Sequence, residues 1–170
     1  DLIFFEEKIN SSNLKKISDI NILSPFVYST IDKKIIDSLK SLKYITTRSA
    51  GFDHIDLKTC KKNNILASNV PTYGENTVAE HTFALILALS RKIYPSLEKT
   101  KKGDFSLEGL MGFDLKGKTL GVVGTGNIGK HVIRIAKGFE MQILAYDVKK
   151  DQKLAKKIGF QYVTLEYLFK

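Results

Sequence analysis

Two rhythms of hydrophobic and polar positions alternate along the chain. Asn21–Tyr28 (NILSPFVY) reads as a strand, and Ile31, Ile35, Ile36, Leu39 and Leu42 then recur at helical spacing. Tyr44–Thr47 is a short β-rich run. Asp56–Asn63 predicts one short helix, Asn63-Asn64 a turn, and Ile65–Asn69 a strand. Glu75–Arg91 predicts a long helix that Thr72-x-x-Glu75 could cap and that Pro95 helps to end. Its stretch TFALILALS is apolar nearly all round, so it should be buried on most sides, between two domains or two subunits. Residues 95–117 are polar and glycine-punctuated, a connecting excursion. Strand and helix then resume at 119–123, 127–138, 141–146, 151–158 and 161–163.

Strand-helix-strand alternation argues for parallel sheets of the α/β class. Leu120–Val123 is apolar without alternation, as for a strand covered on both faces. The helix that follows should bury Ile128, Val132, Ile135 and Ala136, with Lys137-Gly138 as its stop signal.

Between that strand and helix lies GTGNIG, with glycines at Gly124, Gly126 and Gly129. Each has a separate use. Gly124 permits the tight turn out of the strand, Gly126 lets a pyrophosphate approach the backbone, and Gly129 lets the helix pack close to the sheet. The N–H groups near Asn127 and Ile128 then face an anion at the positive end of the helix. A bare GxGxxG is a weak signal; the preceding strand, the following helix and Asp147 at the end of the next strand make it a dinucleotide site. A carboxylate at Asp147 can accept both ribose hydroxyls and would repel a 2′-phosphate, which favours NAD over NADP. Lys149 and Lys150 soften that repulsion. The plainer role for Asp147 is a turn or helix-capping aspartate.

Composition narrows the classes. The 170 residues are 43% hydrophobic and 26% charged, the balance of a soluble globular protein. The net charge of +9 raises nucleic acid as a partner, but the lysines come in pairs spread over the whole length and only Arg48, Arg91 and Arg134 are arginine. That pattern fits solvated helix faces better than a basic patch with stacking aromatics, so no nucleic-acid partner is expected. No apolar run approaches the roughly 20 residues of a membrane helix. The single cysteine, Cys60, fits a reducing, cytoplasmic setting. No metal site is expected.

RSAGFDHIDL (48–57), NVPTYGENTVAEHTFALILALSR (69–91) and DLKGKTLGVVGTGNIGKHV (114–132), followed by YD at 146–147, resemble the D-isomer-specific 2-hydroxyacid dehydrogenases in order and spacing. Within that family GFDHID and VPTYGENTVAEH are most similar to D-lactate dehydrogenases. The resemblance implies a parallel-sheet substrate domain (1–72), an interdomain helix and connection (73–118), and the first half of a Rossmann NAD-binding domain (119–170). It implies hydride transfer between NAD and a small 2-keto or 2-hydroxy acid of the pyruvate/D-lactate type. Backbone N–H groups at Ala50 and Gly51 would receive the substrate carboxylate, Tyr73 would line its pocket, and Thr77 and Val78 would lie near the nicotinamide. A homodimer through the 75–91 helix is expected.

The family's catalytic arginine, glutamate and histidine would all lie beyond Lys170, so no catalytic residue is assigned within the chain. His54, His81 and His131 read as structural, because none has a nearby sequence partner of the kind a general acid needs. Asp1 in place of a methionine, and TLEYLFK breaking off after two helical turns, suggest a chain cut at both ends and inactive alone. A dehydrogenase-like, NAD-sensing corepressor is the alternative function.

Overall fold

A computed structural model of the protein describes residues 2–170. The chain divides into two compact units, one up to Tyr73 and one from Gly74 to Lys170. Each holds its own three-stranded parallel sheet.

The first unit runs α1 (Ser11–Leu14), a 3₁₀ turn (Lys15–Ile17), β1 (Ile22–Leu23), α2 (Lys33–Ser38), β2 (Tyr44–Thr46), α3 (Leu57–Lys62) and β3 (Leu66–Ser68). The strands lie in the order β1-β2-β3. β1 is far shorter than the expected Asn21–Tyr28. Pro25 has no N–H to give to a ladder, so pairing stops before it. Helical spacing also overran α2. Asp32 caps that helix by accepting the Ile35 N–H at 3.0 Å, so Ile31 falls outside it. Ile31 forms a parallel bridge with Ile55 and is fully buried. Asp56 caps α3 in the same way, on the Thr59 N–H at 3.0 Å. Ile31, Ile36, Leu39, Leu42, Ile45 and Cys60 fill the core of this unit.

The second unit runs α4 (Glu75–Ser90), α5 (Ile93–Lys101), β4 (Thr119–Val123), α6 (Asn127–Gly138), β5 (Gln142–Tyr146), α7 (Gln152–Ile158), β6 (Gln161–Tyr162) and α8 (Leu165–Leu168). The sheet order is β4-β5-β6, with β4 and β5 in register from Thr119↔Gln142 to Val123↔Tyr146. α6 buries Val132, Ile133 and Ala136, whereas Ile128 in its first turn is exposed. α4 packs against α6 with Ala79 and Phe83 in the shared core, and the rings of Phe83 and Phe139 stack 5.4 Å apart.

Three expectations change here. Gly74, not Thr72, stands at the start of α4, and no side chain caps it. Pro95 does not end α4: the chain breaks at Lys92, in a left-handed conformation (φ 55°), and Pro95 sits in the first turn of α5. That position tolerates proline, because a first-turn N–H has no helical acceptor to lose. Within its own unit α4 is covered on one side, against α6, and Leu85 and Leu89 are exposed; the burial expected between domains or subunits would need a neighbour outside this unit. β4 is an edge strand with Val123 exposed, since its two-sided apolar run meets α6 on one face and only α8, against Gly121, on the other.

Candidate functional site

The turn from β4 into α6 is where backbone geometry dictates residue type. Gly124 has φ +92°, a conformation that side-chain-bearing residues avoid, and its N–H donates to the Tyr146 carbonyl at 2.8 Å. Gly129 faces back onto that turn. A Cβ there would lie 2.0 Å from the Gly124 carbonyl oxygen. Gly126 is different: a Cβ on it would meet nothing within 4 Å. Its glycine is required neither by the turn nor by packing, and it leaves the space in front of the helix clear.

That space faces helix donors. The first backbone bond of α6 runs from the Lys130 N–H to the Gly126 carbonyl at 3.0 Å. The amides of Asn127, Ile128 and Gly129 precede it and have no helical acceptor. They carry the positive end of a 12-residue helix. The Asn127 side-chain amide donates to Glu75 Oε1 at 3.3 Å, which sets the first turn of α4 beside the first turn of α6. Thr77 and Val78 are exposed in that first turn of α4.

Asp147 follows β5 and closes the site on its other side. Its Oδ2 accepts from the Thr125 N–H at 2.6 Å and the Thr125 hydroxyl at 2.9 Å; its Oδ1 accepts the Lys149 N–H at 2.9 Å. The Lys149 amide first, then the amide and hydroxyl of Thr125, hold the carboxyl below the ordinary carboxylate range. Asp147 is therefore an anion with a fixed orientation. This is the turn role, and one lone-pair direction of Oδ1 remains outside these bonds, so the carboxylate can still accept from a ligand hydroxyl. These residues fit a dinucleotide: donors for a pyrophosphate, clear space over Gly126 and a carboxylate at the next strand end all belong to one unit.

In the first unit the loop after β2 carries Ala50 and Gly51. Both residues are exposed, and among the described residues neither N–H has an acceptor. Their carbonyls are tied down instead, Ala50 O by the Asn69 side-chain amide and Gly51 O by the Ser49 hydroxyl, each at 2.7 Å. Beneath them the buried Thr47 hydroxyl meets Ser49 Oγ at 2.7 Å and His54 Nε2 at 3.1 Å. His54 thus has the partner that no sequence neighbour suggested, and it acts as a brace for this loop. Tyr73 is exposed at the end of the same unit.

Cys60 is buried, and burial, with the nearby Asp56 charge, pushes its thiol up; it forms no disulfide. Among the described residues no group of three His, Cys, Asp or Glu side chains could hold a metal ion. Among the described residues no helix is long and apolar enough to cross a membrane.

The sites of sequence interest fall into two sets. Gly124, Gly126, Asn127, Ile128, Gly129, Asp147, Thr77 and Val78 belong to the second unit; Ala50, Gly51 and Tyr73 belong to the first. Sequence reasoning passed over Thr125, Tyr162, Asn69 and the Thr47–Ser49–His54 group. Thr125 stood in plain view inside GTGNIG, but a variable position of that motif carries no signal by itself. Tyr162 reaches it across the sheet and left no trace in the local pattern.

A parallel strand, a glycine turn and a helix whose first amides lack helical acceptors make the second unit an α/β domain whose geometry can receive an anion. The chain belongs to the D-isomer specific 2-hydroxyacid dehydrogenase family, whose catalytic-domain profile matches residues 1–169. A 2-hydroxyacid dehydrogenase homolog of Haemophilus influenzae is 40% identical over 99% of this chain and 51% of its own length. The apo structure of D-lactate dehydrogenase from Escherichia coli superposes with a TM-score of 0.85 at 37% identity, over 98% of this chain and 53% of that one. D-lactate dehydrogenase from Aquifex aeolicus, solved with NAD and lactic acid, gives 0.86 at 40% identity, over 92% and 47%. The chain spans about half the length of the curated relatives it matches.

Proposed function

We propose that this chain belongs to an NAD-dependent oxidoreductase that interconverts a small 2-keto acid and its D-2-hydroxy acid, of the pyruvate/D-lactate type. The observation that carries this reading is the clear space over Gly126 in front of the free amides of α6, with Asp147 fixed as an anion at the next strand end. Family membership supports the reaction class.

In this reading the amides of Asn127 and Ile128 receive the pyrophosphate, and Asp147 receives the adenine ribose. Thr77 and Val78 border the nicotinamide, whose reduced form supplies the hydride. The Ala50 and Gly51 N–H groups donate to the substrate carboxylate. Their loop is held from behind by Asn69, Ser49, Thr47 and His54, so the donors are in place before substrate arrives. Tyr73 restricts the pocket to small side chains. None of residues 1–170 is assigned the proton transfer to the carbonyl oxygen.

The exposed apolar side of α4 supports a homodimer through that helix. The buried, unpaired Cys60 supports a reducing compartment. The test is binding and turnover with the natural full-length protein. NADH should bind more tightly than NADPH, and pyruvate should be reduced to the D-product. Equal affinity for the two cofactors would remove the ribose assignment, and a phosphorylated keto acid preferred by tenfold or more would remove the lactate-type assignment.

A further inference from the structure

The Thr125 hydroxyl has a single proton and two polar neighbours. One is Asp147 Oδ2 at 2.9 Å, and the other is Tyr162 Oη at 2.7 Å. A carboxylate can only accept, so the Thr125 proton points to Asp147. Tyr162 must then donate its own proton to Thr125 Oγ1. Its oxygen in turn accepts the Asp151 N–H at 3.2 Å. Proton counting therefore fixes one direction for the whole chain, from Asp151 N–H through the Tyr162 and Thr125 hydroxyls to the Asp147 carboxylate.

Both ends of this relay are anchored. Asp151 is the N-cap of α7, where its carboxylate accepts the Leu154 N–H at 2.9 Å. Tyr162 lies on β6, paired with Ala145 of β5, and its ring sits edge-on to Phe160 at 5.1 Å. Thr125 is 4% exposed, so water does not compete for its hydroxyl. The glycine turn after β4, strand β6 and the start of α7 thus converge on the orientation of one carboxylate.

We propose that Thr125 and Tyr162 are positioning residues that set the cofactor preference, by holding the Asp147 carboxylate where a ribose hydroxyl can donate to it and a 2′-phosphate cannot be accommodated. The proposal rests on the assignment of Asp147 to the ribose. A 2′-hydroxyl brings a proton to the open side of Oδ1. A 2′-phosphate brings only acceptor oxygens and about two negative charges. Discrimination requires that Asp147 stay in place when the phosphate arrives. Without the relay only the Thr125 and Lys149 N–H groups hold the carboxylate, and its Oδ2 can swing away and leave Lys149 and Lys150, both exposed on the same turn, to meet the phosphate.

The test measures dissociation constants for NADH and NADPH with the natural full-length protein and its Tyr162→Phe, Thr125→Val, Thr125→Ser and Asp147→Ala variants. Tyr162→Phe and Thr125→Val should weaken NADH by about three- to tenfold, the range of one lost hydrogen bond. NADPH should be unchanged or tighter, so the preference ratio falls. Thr125→Ser, which keeps the hydroxyl, should restore the ratio. In the Asp147→Ala background, Tyr162→Phe should change nothing further. If Thr125→Val does not fold, Tyr162→Phe decides alone, because its ring remains in place. A relay that merely supports the fold would weaken both cofactors equally. That result, or no change, with Asp147→Ala still abolishing the preference, overturns the relay and leaves the ribose assignment standing. A preference untouched by Asp147→Ala overturns that assignment and the relay with it.

Discussion

A side-chain carbon at Gly129 would stand 2.0 Å from the carbonyl oxygen of Gly124, so the first turn of α6 can lie against the end of β4 only with glycine there. Gly126, between them, has open space where its Cβ would be. Two glycines of one motif therefore do different work, and alanine separates them. Gly129→Ala should destabilise the second unit by about 1–3 kcal/mol or more through overpacking. Gly126→Ala should leave the melting temperature within a degree or two and weaken NADH at least tenfold, because the methyl occupies the space proposed for the pyrophosphate. Thermal melts and NADH titrations of both variants check this. A Gly126→Ala protein that binds NADH normally would contradict the cradle.

Substrate size is the second expectation. Tyr73 is 63% exposed, and in the proposed reading it forms one wall of the substrate pocket, with its hydroxyl bonding a carboxylate or a bridging water. Tyr73→Phe should lower kcat/KM for pyruvate roughly fivefold, the value of one hydrogen bond. Tyr73→Gly should shift preference toward longer keto acids. Comparing pyruvate, 2-ketobutyrate and phenylpyruvate across the three proteins reads this out, and an unaltered order of preference would exclude Tyr73 from the pocket.

The brace beneath the Ala50-Gly51 loop should act through substrate binding. Thr47→Val keeps the shape of the buried side chain and removes the hydroxyl that meets Ser49 and His54. KM for the keto acid should rise several-fold while NADH affinity stays unchanged, since the cofactor residues belong to the other unit. Equal losses in both would mean a general loss of structure instead.

Acid should destabilise the protein. The carboxyls of Asp37, Asp56, Asp104 and Asp147 are all held below their ordinary value of 3.8. The causes are, first in each case, the Lys33 ammonium on Asp37, the Thr59 hydroxyl on Asp56, the Ser106 amide on Asp104 and the Lys149 amide on Asp147. The unfolded chain therefore takes up these protons at higher pH than the folded one. Their stabilisation is complete above the ordinary carboxylate value and is lost as pH falls through the lower, folded values. The melting temperature should be steady down to about pH 5 and fall below about pH 4. A melting temperature that rose on acidification would show that other groups dominate.

Leu89 is 74% exposed and Leu85 54% exposed on α4. If a second copy covers them, Leu89→Glu buries a charge in the interface and should raise the dimer dissociation constant tenfold or more. Sedimentation velocity on the natural protein and the variant measures it. A protein that is monomeric at micromolar concentration without any substitution removes the dimer.

Much of this was legible locally. Gly124, Gly126 and Gly129 after an apolar run, with Asp147 at the next strand end, name a backbone requirement and a charge, and both are properties of residue types at fixed spacing. The same holds for the helices at 57–62, 127–138 and 152–158, whose starts and stops lie in the local pattern. What the sequence could not say is where a helix of uniformly apolar surface meets a partner, or how long a strand remains paired. β1 was misjudged for that reason: ladder length depends on which neighbours the fold supplies. Gly112, unremarkable in its polar connection, approaches α4 so closely that a Cβ would lie 2.1 Å from the Ser90 carbonyl oxygen. Tyr162 meets Thr125 and Asn69 meets Ala50 because parallel strands bring their ends together, and Thr47 meets His54 because the loop after β2 folds back on itself. The sequence by itself determined the backbone turn, the charge at its side and the family. The tertiary structure alone decided which hydroxyls and amides hold those groups still, because a hydrogen bond needs its two atoms within about 3 Å and chain separation says nothing of that distance.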